Sequence, residues 1–359
     1  MSVWKRSFQI LVSLVLSAAL LAFVACSPKG TGSTSGPVQL QGAGATFPNP
    51  LYQKWLSEYG KLHPNVRIDY QSIGSGGGIK QIREQTVDFG ASDAPMKDDE
   101  LKAAPAELLH IPTVLGAVVL TYNLEGITQP LHFSPDVIAD IFLGKIKKWN
   151  DGRISAENAG AKLPNADITV VHRSDSSGTS AVFTDYLSKV SPEWKEKVGT
   201  GTAPSWPVGI GGKGNEGVTG QVKNTPNTIG YVELIYALQN KLPVAQLKNA
   251  SGAFVEPSVD SVTAAAAASA STMPDDLRVS ITNAPGAQAY PISSYTYILV
   301  YKNQKDANKG KVLVDFLWWG IHDGKNFEKE LSYVPLPDDI VKRTEAKISS
   351  ITADGAPLR

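Results

Sequence analysis

The chain predicts an α/β fold, and three observations carry that prediction. Strand-like and helix-like runs alternate along it. Three short turns rich in glycine and hydroxyls, Gly44-Ala45-Thr46-Phe47, Gly74-Ser75-Gly76-Gly77 and Ser176-Ser177-Gly178-Thr179, each join a strand-like run to a helix-like one. The 359 residues suffice for two domains at about 150 residues each, and 42% hydrophobic with 19% charged content describes an ordinary folded protein.

The first 25 residues read as an export signal and not as part of the fold. Lys5 and Arg6 precede an apolar run from Ile10 to Val24, too short and wrongly flanked for a membrane span. Phe23-Val24-Ala25-Cys26 resembles a bacterial lipoprotein cleavage site, with Phe23 where leucine is commoner. Cys26 is the only cysteine, which excludes an intramolecular disulfide and makes a lipid attachment point the natural reading of that thiol. Ser27 to Pro37 is a Gly/Ser/Thr tether with nothing apolar to bury, so residues 26–37 are expected to be a flexible linker. The protein is therefore expected to be exported, to the periplasm or cell surface, and held to a membrane only through Cys26.

Beyond the tether, Val38-Gln39-Leu40 opens the fold as a strand. Asn49 and Pro50 read as the N-cap and first residue of a helix. Leu51, Trp55, Tyr59 and Leu62 recur on one face of it. Val66 to Tyr70 alternates as a strand, and Ile79 and Ile82 mark one side of the helix after Gly74–Gly78. Val87 to Asp93 is a third strand and turn. Leu115 to Tyr122 is an apolar, β-branched run able to carry the chain into a second domain.

The second half repeats the alternation. Ser134 to Phe142 reads as a helix, Ala166 to Val171 as a strand. A helix beginning near Thr179 places Val182, Phe183, Tyr186, Leu187 and Val190 at helical spacing. Gly209 to Gly220 is glycine-rich, Ile229 to Val232 a strand and the alanine tract Ala264 to Ala268 a helix. Tyr295 to Tyr301 is a late strand and Gly310 to Trp319 a late helix, with Trp318 and Trp319 expected in a core or else at a contact surface.

The chemistry concentrates in the three turns. In open α/β folds ligands sit beyond the carboxyl ends of strands, where such turns converge. Arg173-Ser174-Asp175-Ser176-Ser177-Gly178-Thr179-Ser180 combines a helix N-terminus, whose unpaired N–H groups favour an oxyanion, with a permanently charged fork of donors. No GxxxxGK[ST] pattern is present, and GxGxxG spacing occurs only inside the glycine-rich Gly209–Gly220 stretch, where it is too common a pattern to imply a nucleotide. Lys and Arg number 34 and Asp and Glu 34, which leaves no basic excess for nucleic acid. Asp93 is a turn or N-cap residue before Pro95, or else an acceptor inside the site. A carboxylate is acceptor-only, so in the second case it bonds an anion only if the anion brings a proton. Phosphate near neutral pH carries one, whereas sulfate does not. Such an acceptor would therefore discriminate between the two.

Gly42-Ala43-Gly44-Ala45-Thr46-Phe47-Pro48, Asp88-Phe89-Gly90-Ala91-Ser92-Asp93-Ala94-Pro95 and Arg173 to Ser180 resemble the signature segments of the exported phosphate-binding proteins, the solute receptors of the Pst-type phosphate ABC transporter. Leu143 to Trp149, Gly211 to Asn215 and Ile229 to Glu233 extend the resemblance over residues 38 to about 345. It implies a two-lobed type II periplasmic-binding-protein fold, each lobe a mixed sheet flanked by helices, with the ligand cleft at the hinge. Lobe I is expected at 38–114 with 289–350, lobe II at 115–288. The implied ligands of phosphate are Thr46, the N–H of Phe47, Ser75, Asp93, Arg173, Ser177, Gly178 and Thr179, with Asp175 holding Arg173 in place. Gly76 stands where the family has a second serine, and Ser176 where it has a glycine. Binding and delivery to the permease of an ABC importer follow, by a monomer, without catalysis, cofactor or metal. The alternatives are an exported phosphatase, or a receptor for another tetrahedral oxyanion. His63, His110, His132, His172 and His322 are scattered, with no metal-ligand spacing, and only His172 adjoins the turn.

Overall fold

The computed structural model describes residues 37–127 and 129–359. The export signal, Cys26 and the tether lie outside the described residues. Eight strands form one mixed sheet. In order across it they are Val66–Ser72, Val38–Gly44, Phe89–Ser92, Ser293–Tyr301, Leu108–Asn123, Thr228–Glu233, Thr169–Arg173 and Ile210–Gly212. The three N-terminal strands run parallel, as expected where helices form the crossovers. Thr228–Glu233, Thr169–Arg173 and Ile210–Gly212 make a second parallel set.

One long strand, Leu108–Asn123, joins the two sets. Up to Ala117 it pairs antiparallel with Ser293–Tyr301, and from Val118 onward with Thr228–Glu233. It is buried along almost its whole length, which is why it reads as a continuous apolar run and not as an alternating one. A register shift between Thr296 and Tyr297, opposite Val114 and Pro112, leaves Thr113 as the extra residue. Pro112 has no N–H to give the ladder, and a bulge accommodates that while turning neighbouring side chains.

The helices cover both faces. Leu51, Tyr52, Trp55 and Tyr59 bury one side of the helix Asn49–Leu62. Leu62, expected on that face, is its last residue and remains exposed. Asn49 is not the N-cap: Pro48 occupies that position without a side-chain cap, and Asn49 Oδ1 accepts from Gln53 Nε2 at 3.1 Å. Helices Ser75–Arg83, Pro135–Phe142, Gly178–Val190, Val259–Ser269 and Ala307–Ile321 match the expected runs. Trp319 packs against Trp55 and Tyr59. Trp318 is only half-buried, in contact with the Arg359 guanidinium over its ring and stacked with His322.

Two of the helices that escape the periodicity exceed ten residues. Gly214–Asn224 is built from the glycine-rich stretch, and a Cβ on Gly212 would lie 2.6 Å from Val218 N. Its glycines let helix backbone rest directly on strand backbone, so composition conceals the element. The helix Asp338–Ser349, whose buried residues are Ile340, Thr344 and Ile348, follows the last run assigned from sequence.

Candidate anion-binding site

The three turns meet at the centre of the sheet. Gly44, at φ 149°, ends the first strand and passes its carbonyl to the N–H groups of Ile73 and Gly74 at 2.9 and 2.8 Å. Gly74, at φ 89°, then opens the helix Ser75–Arg83. Only glycine adopts these angles readily. The first turns of Ser75–Arg83 and Gly178–Val190 therefore face each other from opposite sides of the long strand.

Every residue expected to bind is buried in this region: Thr46, Phe47, Ser75, Asp93, Arg173, Ser177, Gly178 and Thr179. A Cβ on Gly178 would lie 2.3 Å from Ser75 Oγ and 2.6 Å from Asp93 Oδ2, so the turn after Arg173 presses against the carboxylate of the opposite half. Ser177 caps its helix, accepting from Ser180 N–H at 3.0 Å. Phe47 C=O accepts from Tyr333 OH at 2.6 Å, which fixes the turn that carries its N–H.

Asp175 grips Arg173 by one edge. Arg173 Nε donates to Asp175 Oδ1 at 2.8 Å and Nη2 to Oδ2 at 2.6 Å. Nη1 reaches Thr179 Oγ1 at 3.3 Å. Burial alone would raise the Asp175 carboxyl, but the Arg173 fork outweighs it and holds it below the usual range. The guanidinium is thus locked in orientation while its outer hydrogens stay available to a ligand.

Asp93 is a buried acceptor and not a helix cap. Thr296 Oγ1, aimed by the bulge, donates to Asp93 Oδ1 at 2.9 Å. The Asp93 N–H donates to Ser75 Oγ at 3.2 Å. Burial pushes the carboxyl up to about 7, against the opposing pull of Thr296, Arg173, Ser75 and Thr179. An acid that holds or releases its proton near neutrality, set in a wall of donors, either accepts a ligand's proton or supplies one. Asp93, Gly76 and Ser176 also line a crevice of about 610 Å³ between the two halves.

Several buried partners were not singled out from the sequence. Asn215 Nδ2 lies 2.8 Å from Thr46 Oγ1 and 3.2 Å from Thr179 Oγ1. Tyr231 OH accepts from Arg173 N–H at 3.1 Å, and Tyr236 OH donates to Thr46 C=O at 2.5 Å. Asn215 and Tyr231 lie in the Gly211–Asn215 and Ile229–Glu233 stretches, so those runs were the available signal; Thr296 and Tyr236 had none. His172 turns away from the site, stacked on Trp206 with centroids 5.0 Å apart, and burial lowers its pKa.

Residues 31–319 match the family model described as the PBP superfamily domain. A phosphate-binding protein PstS of Xylella fastidiosa (strain 9a5c) is 48% identical over 310 residues, covering 86% of this chain and 84% of that protein. The chain belongs to the PstS family of phosphate-binding proteins. A second PstS, from Pasteurella multocida (strain Pm70), is 48% identical over 322 residues, 89% of this chain and 93% of its own. The fold is shared with a putative phosphate ABC transporter substrate-binding protein from Clostridium perfringens, solved with bound phosphate. That match has a TM-score of 0.61 and 19% identity, and spans 84% of this chain and 100% of the other. Within the PstS family, then, this chain brings all three glycine-hydroxyl turns together beside buried Asp93 and Asn215.

Proposed function

We propose that the protein binds inorganic phosphate between two lobes and hands it to the membrane permease of a phosphate ABC importer. The observation that carries the reading is the approach of a buried carboxylate, Asp93, to the donor-rich turn after Arg173. Donors alone would hold any oxyanion; the acceptor among them favours one that brings a proton. The printed names of the PstS relatives support the same ligand. The ligands are Thr46, the Phe47 N–H, Ser75, Asp93, Arg173, Ser177, Gly178 and Thr179, with Asp175 as support. Lobe I comprises 38–114 with 289–350 and lobe II 115–288; their closure couples binding to docking on the permease. Export through residues 1–25 and lipid attachment at Cys26 keep a monomeric receptor near that permease. We read it as a binding protein and not an enzyme, since His172 is stacked on Trp206, away from the hydroxyls of the turn. Calorimetry of the mature protein with phosphate and with sulfate tests the reading. Tight phosphate binding with sulfate rejected at alkaline pH is expected, and no phosphate binding, or equal sulfate binding, overturns it.

A further inference from the structure

A hydroxyl is both donor and acceptor, so a hydroxyl-lined pocket has no fixed polarity. An anion site needs every hydroxyl to present its hydrogen. Here one residue meets both of the threonines concerned. Asn215, wholly buried in the first turn of the helix Gly214–Asn224, sends Nδ2 to Thr46 Oγ1 at 2.8 Å and to Thr179 Oγ1 at 3.2 Å. Its backbone N–H adds a second donor to Thr46 Oγ1 at 3.2 Å. Thr179 Oγ1 takes its second from Arg173 Nη1 at 3.3 Å. A threonine oxygen has two lone pairs. In both threonines both are filled by protein donors, so each O–H hydrogen has nothing left to do but donate.

The amide orientation is fixed by chemistry. Asn215 Oδ1 accepts the backbone N–H of Glu233 at 3.0 Å. A backbone N–H can only donate, so the atom against it is the oxygen and the NH2 group must face the threonines. Gly214 N–H, one residue earlier, donates to Asp175 Oδ1 at 3.0 Å, tying this helix start to the clamp on Arg173.

We infer that Asn215 is the positioning residue that sets the polarity of the pocket. By holding Thr46 from one half of the sheet and Thr179 from the other, it turns two ambivalent hydroxyls into obligate donors for a tetrahedral oxyanion. It touches no ligand itself. This inference rests on the phosphate reading above.

The test is phosphate calorimetry on the full mature chain, in wild type and in a Thr46→Val/Thr179→Val background. Asn215→Ala in the wild-type background should weaken phosphate roughly tenfold or more, since freed hydroxyls lose orientation. The same change in the valine background should add less than about twofold, because the groups it acts through are gone. Asn215→Asp, equal in size, reverses the polarity: its carboxylate draws both hydroxyl hydrogens inward, and binding should fall below that of Asn215→Ala. A role in packing alone gives the opposite order, with the isosteric aspartate near wild type and the same loss for alanine in both backgrounds. Either of those results overturns the inference. If Asn215→Ala does not fold, Asn215→Ser, which still offers one donor, takes its place in the same cycle. A wild-type chain that binds no phosphate is a different outcome, which sinks the phosphate reading and this inference with it.

Discussion

Gly76 and Ser176 meet across the cleft in direct contact. Gly76 N–H donates to Ser176 C=O at 3.0 Å, and a Cβ on Gly76 would lie 2.0 Å from Ser176 Oγ and 2.4 Å from Ser176 Cβ. Ser176 Oγ donates to Thr202 Oγ1 at 2.9 Å, which holds the side chain in place. The two positions singled out in the sequence are therefore neighbours, and the lack of a side chain at Gly76 leaves room for the Ser176 hydroxyl.

That pairing predicts reciprocal rescue. Gly76→Ser on its own cannot coexist with Ser176 in the closed arrangement and should weaken phosphate on the order of tenfold through overpacking. Adding Ser176→Gly should restore affinity to within about threefold of wild type. Phosphate titrations of the two single variants and the double variant read the coupling; strictly additive losses would show that the contact does not govern closure.

The pKa of Asp93 makes selectivity depend on pH. A protonated Asp93 offers a hydrogen to sulfate, whereas an ionised one faces it with an unpaired acceptor and a like charge. With the carboxyl at about 7, sulfate should compete measurably in mild acid. It should weaken about tenfold for each pH unit above neutrality, because one proton is required. Asp93→Asn carries an amide donor at every pH, so its sulfate affinity should be pH-independent and its preference for phosphate largely lost. Competition calorimetry at about pH 5.5 and about pH 8.5 separates these outcomes.

How far the sequence was legible follows from what each residue answers to. Thr46, Ser75 and the Arg173–Thr179 run sit in turns whose glycines and hydroxyls announce backbone exposed to a ligand, and the structure brings them together. Leu115–Tyr122 was legible as strand because burial on both faces makes a continuous apolar run. Asn215 was marked only as the end of the Gly211–Asn215 stretch, and its place in a helix was hidden because that helix carries Gly214, Gly217 and Gly220, each a poor helix former. Thr296 was hidden because its role depends on a bulge opposite Pro112, a tertiary pairing that no local pattern encodes. Gly76 and Ser176 were visible as two separate oddities, but their adjacency exists only in three dimensions.

Buried carboxyls should give the unliganded protein an inverted pH response. Burial raises Asp93 from 3.8 to about 7 and Glu328 from 4.5 to about 8. Each folded-state value lies above the unfolded one, so the associated stability is complete below the unfolded value and is lost as pH rises through the folded one. Between about pH 5 and pH 8, Asp93→Asn should gain on wild type by about 3 kcal/mol, following roughly 1.4 kcal/mol per pH unit up to the carboxyl's own titration. Urea denaturation in phosphate-free buffer measures the difference, and a gap that stays constant with pH would contradict the raised pKa.

Arg173 is held by geometry as much as by charge. Three of its nitrogens are engaged at once, Nε and Nη2 on the two oxygens of Asp175 and Nη1 on Thr179 Oγ1. A lysine ammonium is a point charge on a flexible stem and cannot span those partners. Arg173→Lys preserves the net charge yet should lose Thr179, leave one Asp175 oxygen short of a donor, and blur the position of the positive centre. Charge-assisted fork contacts contribute about 1.5–3 kcal/mol each, so phosphate affinity should fall on the order of a hundredfold, mostly through faster release. Stopped-flow release rates and calorimetry together check this. A loss smaller than about threefold would mean that positive charge alone holds the anion, and that the clamp by Asp175 serves only the fold.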